Sequence, residues 1–122
     1  MTVEPSRTIL DFTYKEDIQP IVKEWAEEFH FKVSPAENGG LRCRRSGSLM
    51  LCGVVLEALQ SGSRVHLETW LDVDILTEFA SLFNAPKESA IQSGETLLWR
   101  EKEFARRFVN PLLERLNQPL LT

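Results

Sequence analysis

The sequence predicts an α+β protein: a four-stranded antiparallel β-meander with an N-terminal and a C-terminal helix packed on one face. Three observations predict it. Arg64 to Asp72 alternates strictly, with Val65, Leu67, Thr69 and Leu71 on one parity and His66, Glu68, Trp70 and Asp72 on the other. That period of two marks a half-buried strand. Ahead of it, Leu49 to Leu59 is a nearly unbroken apolar run interrupted by Gly53, a residue that is costly inside a helix. Outside this pair, apolar residues recur at helical spacing near both ends of the chain.

Ser61-Gly62-Ser63 joins the two runs, and Gly62-Ser63 fits a two-residue type II′ loop, whose first position needs φ above zero. Ser61 then faces Arg64, so Val54 faces Leu71, Leu56 faces Thr69 and Ala58 faces Leu67. These pairs, with Cys52 and Val65, make an apolar core face. The opposite, open face pairs Leu59 with His66, Glu57 with Glu68, Val55 with Trp70 and Gly53 with Asp72. A slip of one residue would mix the two sets, so turn and pattern agree on one register.

In chain order, Met1 to Arg7 reads as a flexible tail, and Thr8 to Phe12 as a short strand or an extended lead-in. Thr13 and Glu16 have capping-box spacing, with Asp17 as a competing cap, and Pro20 suits a first helical turn. The helix is expected over Ile18 to Phe29, with Ile18, Ile21, Val22, Trp25 and Phe29 as its apolar stripe. Phe31 to Val33 and Leu41 to Arg45 alternate around the turn cluster Ser34 to Gly40. Ser46-Gly47 suggests a tight hairpin that sets Arg45 opposite Ser48, Cys43 opposite Met50 and Leu41 opposite Cys52.

After Asp72 the period changes. Asp74 can cap a helix carrying Leu76, Phe79, Ala80 and Phe83, ended by Asn84-Ala85-Pro86, and Lys87 to Gly94 is a linker or ragged turn in which Trp99 finds its packing. From Glu95 a long helical pattern carries Leu97, Leu98, Phe104, Ala105, Phe108, Val109, Leu112, Leu113 and Leu116, supported by a Glu103–Arg107 pair. Asn110-Pro111 either breaks this helix or kinks it, and Leu120 and Leu121 fray or dock.

A chain of 122 residues fits one domain spanning 1–122. A net charge of −4 and a pI near 5.2 argue against nucleic acid as a partner. No apolar run is long enough for a membrane span, and MTVEPSRT has neither the basic start nor the apolar stretch of a signal peptide, which points to the cytoplasm and reduced thiols. No catalytic, cofactor or metal motif is present. Cys43, Cys52, His30 and His66 lack metal-ligand spacing, and buried cysteines are ordinary small hydrophobes. Glu57 facing Glu68 beside His66 comes nearest to a catalytic arrangement, but solvated carboxylates neutralised by Arg64 or a partner chain explain it more simply. Arg42, Arg44 and Arg45 form a basic cluster without the aromatic platforms that single-stranded nucleic acid would need.

What the sequence does offer is the open face. Its centre (Leu51, Val55, Trp70) is apolar, flanked by Arg42, Arg44, Leu49 and Lys32 on one side and by Glu57, Leu59, His66, Glu68 and Asp72 on the other. Left in water, that centre would be a continuous apolar patch, so a second copy, a partner or the segment around Ile75 to Phe83 should cover it. The expected function is a non-catalytic, protein-binding module of the chaperone or adaptor kind, a homodimer, using Arg42, Arg44, Leu49, Leu51, Val55, Glu57, His66, Glu68 and Trp70. The alternative is a small-molecule binder or simple enzyme with a pocket between sheet and helices, lined by Trp25, Trp99 and several Phe.

Overall fold

The computed structural model describes residues 7–46, 53–72, 88–92 and 99–122. One antiparallel sheet holds β1 (Thr8–Thr13), β2 (Lys32–Pro35), β3 (Leu41–Arg45), β4 (Gly53–Ser61) and β5 (Arg64–Asp72), in the order β1-β5-β4-β3-β2. A two-residue strand, β6 (Glu88–Ser89), adds to the end of β5 beyond β1. Helix α1 (Gln19–Glu28) connects β1 to β2, and α2 (Trp99–Arg115) follows the sheet. The α+β class and the antiparallel meander β2 to β5 match expectation. The strand number does not: Thr8–Thr13 is a fifth full strand, zipped along β5 from Thr8 opposite Thr69 to Thr13 opposite Arg64. The helix expected over Asp74 to Phe83 and the first turn of the last helix, from Glu95, lie outside the described residues, as do Leu49 and Leu51.

The β4–β5 hairpin has the register its sequence demands, Ser61 opposite Arg64 through Gly53 opposite Asp72. Gly62 has φ +60, as the first position of a type II′ loop requires. The β3–β4 pairing is different from expectation. Leu41 faces Ala58 rather than Cys52, and Cys43 faces Leu56 rather than Met50, a shift of six residues. The Ser46-Gly47 turn is therefore not the hairpin, and the connection between the strands is longer. Because the shift is even, each side chain keeps its face while its neighbours change. At the β2–β3 turn, Gly40 packs so closely on the carbonyl of Ala58 that a Cβ there would collide with it.

Helix α1 opens differently from the capping box. Thr13 is the last residue of β1, and the Asp17 carboxylate accepts the Gln19 N–H at 3.0 Å instead, with Pro20 in the first turn as expected. Gln60, a polar residue on the core face, fixes this connection. Its amide donates to the carbonyls of Tyr14 and Glu16 at 3.2 and 2.8 Å and accepts the Ile18 N–H at 2.9 Å. The helix ends in a Schellman motif: His30 takes φ +62 and Phe31 N–H bonds the Ala26 carbonyl at 2.7 Å.

Helix α2 runs unbroken through Pro111. Asn110 caps nothing; its side chain donates to the Leu121 carbonyl at 3.1 Å and accepts the Leu121 N–H at 2.8 Å, which docks the C-terminal segment. Its buried positions are Lys102, Ala105, Val109, Leu112 and Leu113, with Leu116 buried just past its end, so Lys102 occupies the stripe while Phe104 stands 44% exposed under Arg107. Expecting Phe104 inside was a phase error of the helical wheel, since polarity hid Lys102 from the pattern.

Both helices cover the core face. Val22, Trp25 and Ala26 of α1 and Ala105, Val109 and Leu112 of α2 form one buried cluster with Cys43, Val54, Leu56, Ala58, Val65, Leu67 and Leu71 of the sheet. Among the described residues no helix is long and apolar enough to cross a membrane.

Candidate functional site: the open face of the sheet

The face away from the helices combines a buried apolar floor with a half-exposed ionic belt. Val55 and Trp70 are directly opposite each other on β4 and β5, and both are buried, with 0% and 2% of their surface exposed. A cover over this apolar centre is expected, and at these two positions the chain itself supplies burial; the segment Ile75 to Phe83 lies outside the described residues. One cover is visible. The Arg7 guanidinium lies 3.7 Å from the centre of the Trp70 ring, and that of Arg42 lies 5.7 Å away. A cation held over an indole face is attracted by the ring's electron-rich surface.

The belt crosses four strands. Glu57 and Glu68 face each other as expected, and like charges so placed repel. Arg7 answers this by bridging both, at 3.5 Å to Glu57 and 3.2 Å to Glu68. Arg42 adds a second contact to Glu57 at 3.5 Å, its direct neighbour across β3–β4. Within the chain, the residues that neutralise these carboxylates are Arg7 and Arg42 rather than Arg64. Arg7, expected at the end of a flexible tail, is held by two ion pairs and a ring. Its signal was available, since residues 7, 9 and 11 share the parity of the open face once Thr8–Thr13 is read as a strand.

Beyond Glu68 the belt reaches His66. Its Nδ1 lies 2.6 Å from the Asp11 carboxylate and its Nε2 2.8 Å from that of Glu68. Hydrogen bonds donated first to Asp11 and then to Glu68 favour the imidazolium and raise the His66 pKa above its usual 6.5. The His66 contact, followed by Arg7, holds the Glu68 carboxyl below its ordinary range. An open depression of about 430 Å³ lies at this end, lined by Asp11, Thr13, Leu59, Arg64 and His66 among others. At the opposite end Arg44 donates to Asp72 at 3.1 Å. The structure thus brings Arg42, Val55, Glu57, His66, Glu68 and Trp70 into one connected surface, with Arg44 and Asp72 at its margin.

Among the described residues this arrangement holds charges in place by ion pairs and hydrogen bonds. Cys43, on the other side of the sheet, is fully buried, and burial pushes its thiol up to about 12, so it is inert near neutral pH. Among the described residues no group of three or more His, Cys, Asp or Glu is arranged to hold a metal ion. Between sheet and helices, the Trp25 indole donates to the Phe108 carbonyl at 2.8 Å, and its ring lies 4.4 Å from Phe31 and 6.4 Å from Phe29. These aromatics pack against one another where a ligand pocket was the alternative expectation.

No family model matches the chain, and no curated protein or solved structure matches it either.

Proposed function

We propose that the protein is a non-catalytic, protein-binding module of the adaptor or chaperone kind, acting in the cytoplasm as a homodimer through the open face of its sheet. The observation that carries this reading is the partly exposed belt Asp11–His66–Glu68–Arg7–Glu57–Arg42, laid over a dry floor of Trp70 and Val55. A charged rim around a rigid aromatic centre is the usual layout of a specific but reversible contact surface. The face is also polar in the geometric sense. Lys32, Arg42 and Arg44 lie toward β2 and β3, whereas Glu57, Glu68 and Asp11 lie toward β4, β5 and β1. A twofold axis normal to such a face sets the cationic half of one copy against the anionic half of the other. Each ion pair already made within the chain reduces what a partner adds, so the contact is weak and salt-sensitive.

Sedimentation equilibrium over a wide concentration range at low and high salt tests this. The expected result is a dimer at low salt that dissociates as salt rises, and earlier still for Arg42→Gln. A strict monomer at low salt and millimolar protein would remove the dimer. Equal capture of host proteins by wild type and Arg42→Gln would remove the open face as the docking surface.

A further inference from the structure

Glu57, Glu68 and Trp70 make a box on one face of the sheet, of the kind a guanidinium group fills. Glu57 and Glu68 are direct cross-strand neighbours, and Trp70 stands two residues along from Glu68 on the same side of β5. The chain supplies an occupant of its own. The Arg7 guanidinium lies 3.7 Å from the Trp70 ring centre, 3.5 Å from Glu57 and 3.2 Å from Glu68. Stacking on an indole while pairing with carboxylates is guanidinium chemistry, which a compact ammonium reproduces only in part. The box is costly to leave empty, because two carboxylates directly opposite each other repel without a cation between them.

Arg7 fills the box imperfectly. Its contacts to Glu57 and Glu68 both run from one nitrogen, Nη1, so the group spans the pair instead of gripping either carboxylate with two arms. Both distances exceed those of a tight charge-assisted bond, about 2.7–2.9 Å. A guanidinium carried on another backbone can turn to make the two-armed contact. The box is also within reach of one, since the Arg7, Glu57 and Glu68 side chains keep 30%, 16% and 23% of their surface in water. Beside it Ile9, directly opposite Glu68, is 55% exposed and offers apolar ground to the residues that flank an incoming arginine. We propose that this box is the recognition site for an arginine side chain of a protein partner, with Arg7 as a built-in competitor that occupies it until the partner arrives. The proposal rests on the protein-binding reading above and gives the partner its chemistry. A site occupied from within binds a rival more weakly, by the fraction of molecules in which it stands open.

The test is a titration of the ¹⁵N-labelled full chain with the tripeptide acetyl-alanyl-arginyl-alanine amide, read at the Trp70 indole N–H and at constant ionic strength. The control peptide carries citrulline, which has the shape of arginine without its charge. Saturable binding to Arg7→Ala is expected, with wild type about tenfold weaker and the citrulline peptide inert. Arg7→Gln, which keeps a polar side chain near the ring, should bind as Arg7→Ala does, and Arg107→Gln on the outer side of α2 should match wild type. Shifts that fail to saturate, that citrulline reproduces, or that are no tighter in either Arg7 variant would overturn the proposal. Tighter binding of free arginine than of the tripeptide would overturn the protein partner in favour of the amino acid. The titration reads a single protomer, so its outcome is separable from self-association: a strict monomer that binds the tripeptide loses only the twofold contact, and a salt-sensitive dimer that ignores it loses only the arginine site.

Discussion

On its core face the β4–β5 hairpin presents Val54, Leu56, Ala58, Leu67 and Leu71, none more than 3% exposed. On its other face the same two strands present Glu57, His66 and Glu68, each partly in water and each tied to a charged neighbour. The backbone is shared, so the difference lies wholly in what surrounds the side chains. Removing apolar area from water stabilises by about 25 cal/mol per Å² and, unlike an ion pair, is not screened by salt. A half-exposed ion pair contributes about 0–1 kcal/mol and fades as salt or pH changes. The fold's stability therefore resides mainly on the core side of the sheet, joined on the open side by the buried pair Val55 and Trp70. The other side is free to respond to its surroundings.

Three changes probe that contrast, from the largest effect to the smallest. Leu56→Ala should cost about 3 kcal/mol, because it opens a cavity between the sheet and both helices. Denaturant unfolding should give the same loss at low and high salt. A loss below about 1 kcal/mol would mean the core face is looser than its burial indicates. Arg7→Ala leaves Glu57 and Glu68 facing each other without their shared cation and uncovers Trp70, at a cost of about 1 kcal/mol. Here the difference from wild type should shrink in strong salt; a salt-independent loss would make Arg7 a packing residue rather than an electrostatic one.

The smallest effect belongs to His66. Its folded pKa is raised, so its contribution is fully present below the unfolded value of about 6.5 and is lost as pH rises through the folded pKa. Glu68 has a lowered pKa, so its share is present above about 4.5 and is lost as pH falls through the folded value. The two together are strongest in the mildly acidic window between these limits. With 38% of the His66 side chain exposed, the effect should amount to a few tenths of a kcal/mol. Wild type should exceed His66→Gln in stability more at pH 5.5 than at pH 8.5, and an NMR midpoint for His66 at or below 6.5 would contradict the doubly bonded imidazolium.

The sequence revealed the faces better than the neighbours. The β4–β5 register was legible because Gly62-Ser63 leaves only one way to close a two-residue loop, and the alternation agrees with it. The β3–β4 register was not, because Ser46-Gly47 has turn chemistry but does not state the length of the connection. Its error of six residues kept Arg42 on the open face yet placed it beside Leu51 instead of Glu57. That single slip made an intrachain ion pair look like charge awaiting a partner. Parity also places Trp70 on the open face, but parity does not tell that Arg7 and Arg42 lie over its ring. Lys102 and Arg7 were missed because a cation is read by default as solvated, whereas one is buried and the other lies on an indole ring.

The placement of β1 has a consequence for the order in which this protein can assemble. The meander from β2 to β5 joins strands that are adjacent along the chain, but β1 finds its partners far downstream: Asp11 meets His66 across 55 residues, and Thr8 meets Gln92 across 84. Closing such long loops is slow and comes after local pairing. On a ribosome, β1 emerges first and waits until β5 is complete. During that interval β5 has one open edge, a template for pairing with another chain. The N-terminal strand is thus the latch of the sheet, first to be synthesised and last to engage, and newly made chains are most exposed to misassociation just before it closes.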